Sequence, residues 1–160
     1  MTKQDRRFRE MLTVERRLRE NGCQAVVGVD EAGRGPLAGP LVAAAVMAPW
    51  PCPWMGLNDS KTLTPKARDR WYELIMSQAS AVGVGLVSAR RIDRIGLQQA
   101  NWEAMCSAVD YLPVVPDHVV VDGPWRIPRL DIPQSPLVKG DSRTISVAAA
   151  SVVALSLIHI

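Results

Sequence analysis

The chain has few of the side chains on which soft-metal and thiol chemistry depend. Its 160 residues include two histidines and three cysteines, and Cys23, Cys52 and Cys106 show no paired spacing. A disulfide framework and a zinc-ligand motif both need such clustering, so neither is supported. Reduced, scattered thiols point to a cytoplasmic protein. Apolar length is also wanting. Residues 1–20 contain no hydrophobic centre of a signal peptide. Residues 145–160 carry no Asp, Glu, Lys or Arg, but they span only 16 positions and include three serines. That is short of the ~20 residues that cross a bilayer, so the segment reads as a buried helix and no membrane partner is expected. With no internal repeat and no linker-like stretch, the chain is expected to form one catalytic or binding domain.

Charge is nearly balanced except at one end. Residues 1–20 hold seven Lys or Arg against four Asp or Glu, while the other 140 residues hold 12 of each sign. The net +3 therefore sits on an N-terminal amphipathic helix over residues 1–21. Such a helix can follow a phosphate backbone or simply present a solvated face.

Beyond it, period and punctuation give a strand at about 25–31 and a second apolar run at 41–47. The link between them is too short for anything but an antiparallel pair. Thr64-Pro65 has the form of a helix cap and first turn, and predicts a helix to about Gln78. A glycine-bearing strand at 82–88, one helix over about 92–109, a buried strand Val119-Val120-Val121 ending at Asp122, and an Ala-rich helix from about Thr144 complete the pattern. Strands joined directly and then through helices predict an α/β domain around a mixed central sheet flanked by helices.

The run Val26-Val27-Gly28-Val29-Asp30-Glu31-Ala32-Gly33-Arg34-Gly35-Pro36 carries most of the functional signal. A polar turn capping a strand is the ordinary reading of an Asp-Glu pair. Here, however, two carboxylates emerge from a wholly apolar strand, where uncompensated charge is costly. Clustered carboxylates suit a hard divalent cation with oxygen ligands, Mg²⁺ or Mn²⁺. Successive strand side chains point to opposite faces, so Asp30 and Glu31 are expected to share a site only if the strand ends between them. Gly33 and Gly35 allow close backbone approach, and Arg34 can meet a phosphate. A dinucleotide-binding loop is the rival, but the Gly33, Gly35, Gly39 spacing is wrong for it and a strand follows instead of a helix. His118, beside a buried strand, and most of the tryptophans are expected to be structural. Trp125, just past Asp122, lies near the expected site.

Asp30-Glu31-Ala32-Gly33-Arg34-Gly35-Pro36-Leu37-Ala38-Gly39-Pro40 resembles the signature of the type 2 ribonucleases H, the bacterial ribonuclease HII family. Asn58-Asp59-Ser60-Lys61, Asp122-Gly123 and Lys139-Gly140-Asp141 follow in that family's order. The resemblance implies a ribonuclease H-like fold over residues 22–154 and a metal site of Asp30, Glu31 and Asp122. It also implies substrate contacts from Gly33, Arg34, Gly35, Lys61, Lys139 and Ser146, with Asp141 in the substrate wall. The implied partners are RNA–DNA hybrid and duplex DNA with an embedded ribonucleotide, cut by a monomer through two-metal-ion hydrolysis. The alternative is a nucleic-acid-binding fragment without activity. After Ala154 the resemblance stops: the family's fourth carboxylate has no counterpart, since no Asp or Glu follows Asp141. Residues 155–160 resemble a translated sequencing adaptor, so a C-terminally truncated chain with a non-native tail is expected.

Overall fold

The computed structural model describes residues 1–33 and 39–159. Two helices, α1 (Lys3–Met11) and α2 (Thr13–Glu20), precede strands β1 (Val26–Ala32) and β2 (Leu41–Met47). Helix α3 (Pro65–Gln78), strand β3 (Ala81–Val87), helices α4 (Ala89–Ile95) and α5 (Leu97–Asp110), strands β4 (His118–Asp122) and β5 (Gln134–Leu137) and helix α6 (Ile145–Ile158) follow. The sheet order is β3-β2-β1-β4-β5. β2 is antiparallel to both β1 and β3, whereas β4 is parallel to both β1 and β5. This is the mixed, helix-flanked sheet that the sequence pattern predicts.

Three elements differ from the sequence reading. The N-terminal helix is broken at Leu12, with backbone angles of −95° and −3°. The helix expected over 92–109 is two, separated by Gly96 at φ +86°, a conformation that only glycine takes without strain. The sequence pattern does not predict β5. It is four residues long, contains Pro136 and lies at the sheet edge, where a residue that cannot donate a ladder hydrogen bond is tolerated.

Alternation along the strands sorts the core into two layers. Val27 and Val29 of β1 and Val119 and Val121 of β4 pack with Ala100, Ala104 and Met105 of α5. Val42, Ala44 and Val46 of β2 pack with Ala148, Ala149 and Val152 of α6 on the opposite face. At Gly28 the backbone of α6 comes so close that an added Cβ would lie 2.3 Å from the carbonyl carbon of Ser146. That close approach seats α6 beside the end of β1, two residues from Asp30.

Candidate active site

The β1–β4 ladder closes at Val29 opposite Val121, while β1 stays paired with β2 as far as Ala32 opposite Val42. Asp30 and Asp122 are the next residues along the two strands, just past the last paired positions. By alternation Asp30 follows Gly28 onto the α6 face, and Asp122 follows Val120 onto the same face. Glu31 starts from the α5 face. The expectation that the strand ends between Asp30 and Glu31 is not met, since β1 runs on to Ala32. It is the neighbouring strand β4 that ends at the site, at Asp122. One carboxylate oxygen from each of Asp30, Glu31 and Asp122 lies within 4.8 Å of the others.

Asp30 is 5% exposed, while Glu31 and Asp122 are half-buried. Burial, then the charges of Asp122 and Glu31, raise the Asp30 pKa well above the ordinary carboxylate range, against one favourable hydrogen bond from the Glu31 amide to Oδ1 at 2.8 Å. A carboxyl so placed is a poor free anion. Three convergent oxygens with a destabilised negative charge form a donor set that fits a hard divalent cation, whose charge would offset both the burial cost and the mutual repulsion.

The three acids line a cavity of about 370 Å³ together with Ala32, Gly33, Ser60, Lys61, Asp141, Ser151 and Leu155. Gly33 has φ +98°, and a Cβ there would meet the Pro40 carbonyl oxygen at 2.5 Å, so the loop that begins at this position requires glycine. Arg34 and Gly35, the other two members of the expected loop, lie outside the described residues. Lys61 is exposed on a 3₁₀ turn, Ser60–Thr62, capped by Asp59, whose Oδ1 accepts the Lys61 amide at 3.0 Å. Ser60 and Ser151 hydroxyls, 2.5 Å apart, tie that turn to α6.

Asp141, expected only as part of a substrate wall, belongs to the acid cluster electrostatically. Burial and then the Asp122 charge push its pKa up to about 6, with Lys61 acting in the opposite sense. Lys139 is exposed in the left-handed region at φ +57° and is not among the residues lining the cavity. Ser146 requires a correction: it is fully buried at the start of α6, beneath Gly28, with its amide bonded to Glu15 Oε1 at 2.9 Å. It cannot form a substrate wall from there. Helical geometry explains the error, because the residues of α6 that reach the cavity are Ser151 and Leu155, one turn apart. That i, i+4 spacing is the signal by which they could have been found. Leu155 also lies in the segment expected to be a non-native tail; α6 continues unbroken through it to Ile158.

On the other side of the acids, a slot of about 80 Å³ is lined by Glu31, Asp122, Asn101, Trp102 and Trp125, among others, with Trp125 66% exposed. His118 bonds to the Ser135 hydroxyl through Nε2 at 2.7 Å, away from the cavity, in keeping with a structural role. Among the described residues no helix is long and apolar enough to cross a membrane.

The family model for Ribonuclease HII matches residues 27–157. The chain is 49% identical over 144 residues to a ribonuclease HII of Geotalea uraniireducens strain Rf4, covering 90% of this chain and 66% of that protein. It is 46% identical over 144 residues to that of Bacillus subtilis strain 168, covering 90% and 56%. The chain thus spans less than two thirds of the length of these relatives. Among solved structures, the ribonuclease H2 of Pyrococcus horikoshii OT3 superposes with a TM-score of 0.75 at 27% identity, over 85% of this chain and 72% of that one. Bst-RNase HIII, solved in complex with Mn²⁺, shares the fold, with a TM-score of 0.69 at 24% identity over 84% and 52%.

Proposed function

Because the chain belongs to the ribonuclease HII family, we propose that its acid-lined cavity hydrolyses the RNA strand of RNA–DNA hybrids and incises duplex DNA 5′ of an embedded ribonucleotide. The products are a 3′-hydroxyl and a 5′-phosphate. The observation that carries this reading is the convergence of Asp30, Glu31 and Asp122 within 4.8 Å where the pairing of two parallel strands stops.

Asp30, Glu31 and Asp122 hold the divalent cation, Mg²⁺ or Mn²⁺, and Asp141 adds negative potential at the rim. Bound there, one or two such ions supply an activated water and offset charge developing on the phosphate. Among the described residues the cavity is lined by four carboxylates and one lysine, an excess of negative charge that bound cations would offset for an entering phosphodiester. Lys61, exposed at the mouth, takes an adjacent phosphate. Gly33, Arg34 and Gly35 bring main-chain groups against the 2′-hydroxyl, a donor and acceptor by which RNA is told from DNA. Lys139 is a more distant backbone contact. The enzyme acts as a cytoplasmic monomer, with residues 22–154 as its catalytic unit and 1–21 as an N-terminal accessory.

Nucleic-acid binding without cleavage is the second reading. It is favoured by Lys61, which is exposed at the cavity mouth outside the three-carboxylate cluster and can meet a backbone phosphate without any hydrolysis. One assay separates the two: a duplex containing a single ribonucleotide is incubated with the protein and Mn²⁺, beside Asp30→Asn. Cleavage 5′ of the ribonucleotide that disappears in the variant supports the enzyme. Salt-sensitive binding with no cleavage removes it, and cleavage surviving in Asp30→Asn overturns the site.

A further inference from the structure

We propose that α1 and α2 form a clamp that sets the positions of the two loops flanking the candidate active site, with Glu15 and Arg7 as its positioning residues. This rests on the nuclease reading of that cavity. The family match begins at residue 27, so neither helix falls within it.

Glu15 is the inner jaw. It is 3% exposed, and its Oε1 accepts the main-chain N–H of Ser146 at 2.9 Å. Ser146 is the second residue of α6, where helical amides have no partner within the helix. Thr144 Oγ1 satisfies the Val147 amide at 3.2 Å, and Glu15 satisfies the one before it. The carboxylate also faces the positive end of a 14-residue helix. Burial raises the Glu15 pKa and the Ser146 amide works against that shift. A buried carboxylate supplied from 131 residues away is a costly way to cap a helix unless its position matters.

Arg7 is the outer jaw. Its Nη2 donates to the Ser142 carbonyl and, at 3.4 Å, to Asn58 Oδ1. Asn58 Oδ1 also accepts the Asp59 amide at 2.9 Å, and Asp59 in turn holds the amide of Lys61. One guanidinium thus spans the loop that carries Lys61 and the loop that carries Asp141. Residues 142–146, held at both ends by this helix pair, directly follow Asp141, whose amide donates to Asp122 Oδ1 at 3.3 Å. Met11 and Leu12, buried against the α6 layer, fix the clamp to the body. Neither Arg7 nor Glu15 lines the acid cavity, so both act through other residues.

The rival account is that these helices only add buried surface. The test uses the full chain with Arg7→Ala, Glu15→Ala and Glu15→Gln, the last keeping an acceptor at Oε1. Amide exchange over residues 140–147 and Mn²⁺ affinity by calorimetry are measured, neither of which needs cleavage. The clamp predicts roughly tenfold faster exchange in Glu15→Ala and in Arg7→Ala, a several-fold weaker Mn²⁺ site, and recovery of most of both in Glu15→Gln. A lowered melting temperature with exchange and Mn²⁺ affinity unchanged overturns it. Arg7 is exposed, so its variant folds and decides the matter if Glu15→Ala does not. Wild-type protein that binds no Mn²⁺ defeats the nuclease reading instead, and the exchange rates still judge the clamp.

Discussion

The main-chain amide of Asp141 donates to Oδ1 of Asp122 across 3.3 Å, joining a strand end to a loop 19 residues further along the chain. That bond couples the rim of the cavity to its floor. Asp122 raises the pKa of both Asp30 and Asp141, so the acids behave as one electrostatic unit that is unfavourable without a cation.

The first consequence concerns stability without metal. Asp30→Asn removes a buried, mutually repelled charge and keeps an oxygen able to accept the Glu31 amide. In EDTA the variant is expected to melt a few degrees higher than the parent, a gain of about 1–2 kcal/mol. Mn²⁺ is expected to raise the parent's melting temperature and leave the variant's unchanged, while hydrolysis in the variant falls by at least about a hundredfold. Differential scanning fluorimetry with and without Mn²⁺ reads the first two effects. A variant that melts as low in EDTA as a core truncation contradicts the electrostatic account.

The same coupling sets a pH dependence. Asp141 in the folded protein titrates at about 6, against 3.8 ordinarily, so the native state binds its proton more tightly than the unfolded chain does. The cost of its charge, set first by burial and then by repulsion from Asp122, is present above pH 6 and is relieved as pH falls through that value, making the metal-free protein more stable toward pH 5. His118, whose pKa burial lowers, acts in the opposite direction. The discriminating measurement is therefore the difference between parent and Asp141→Asn in urea midpoint from about pH 7 to about pH 5 in EDTA. The parent should gain on the variant as pH falls, and parallel curves would count against a raised Asp141 pKa.

Legibility in the sequence tracks the range of the interactions involved. Strands β1, β2 and β4 begin as continuous apolar runs, Thr64 and Thr144 cap the helices that their positions predict, and Asp122 ends the strand that pairs with the strand carrying Asp30. The break at Gly96 and the short β5 are hidden because their signals are single residues within longer patterns. Ser146 misleads for a different reason. A motif places a residue in sequence, but only the packing of α6 on Gly28 decides whether it faces solvent or core. Glu15 gives no signal at all, since its partner lies 131 residues away and a lone Glu on an amphipathic helix ordinarily faces water.

Lys61 should separate substrate affinity from metal affinity. It is exposed at the cavity mouth and is not among the three clustered metal-ligand candidates. Lys61→Ala is expected to weaken duplex binding and reduce the slope of log affinity against log salt by about 1, the signature of one lost phosphate contact. Mn²⁺ binding should not weaken, because removing this cation deepens the negative potential around Asp141. Fluorescence anisotropy at several salt concentrations measures the slope, and an unchanged slope would place Lys61 off the nucleic-acid path.

The contact between Gly28 and α6 offers a purely steric test of how the site is held. An alanine Cβ at 28 would lie 2.3 Å from the carbonyl carbon of Ser146 and 2.4 Å from the amide of Val147, both main-chain atoms that no rotamer change can withdraw. α6 must then move outward, and with it Ser151 and Leu155 on the cavity wall. Gly28→Ala is expected to cost about 3 kcal/mol or more, lowering the melting temperature by roughly ten degrees. Gly39→Ala supplies the contrast: among the described residues a Cβ there meets nothing within 4 Å, so its effect should stay within about 0.5 kcal/mol. If both substitutions proved equally mild in denaturant unfolding, α6 would not be seated against β1 at this distance, and its contribution to the cavity wall would have to be reassigned.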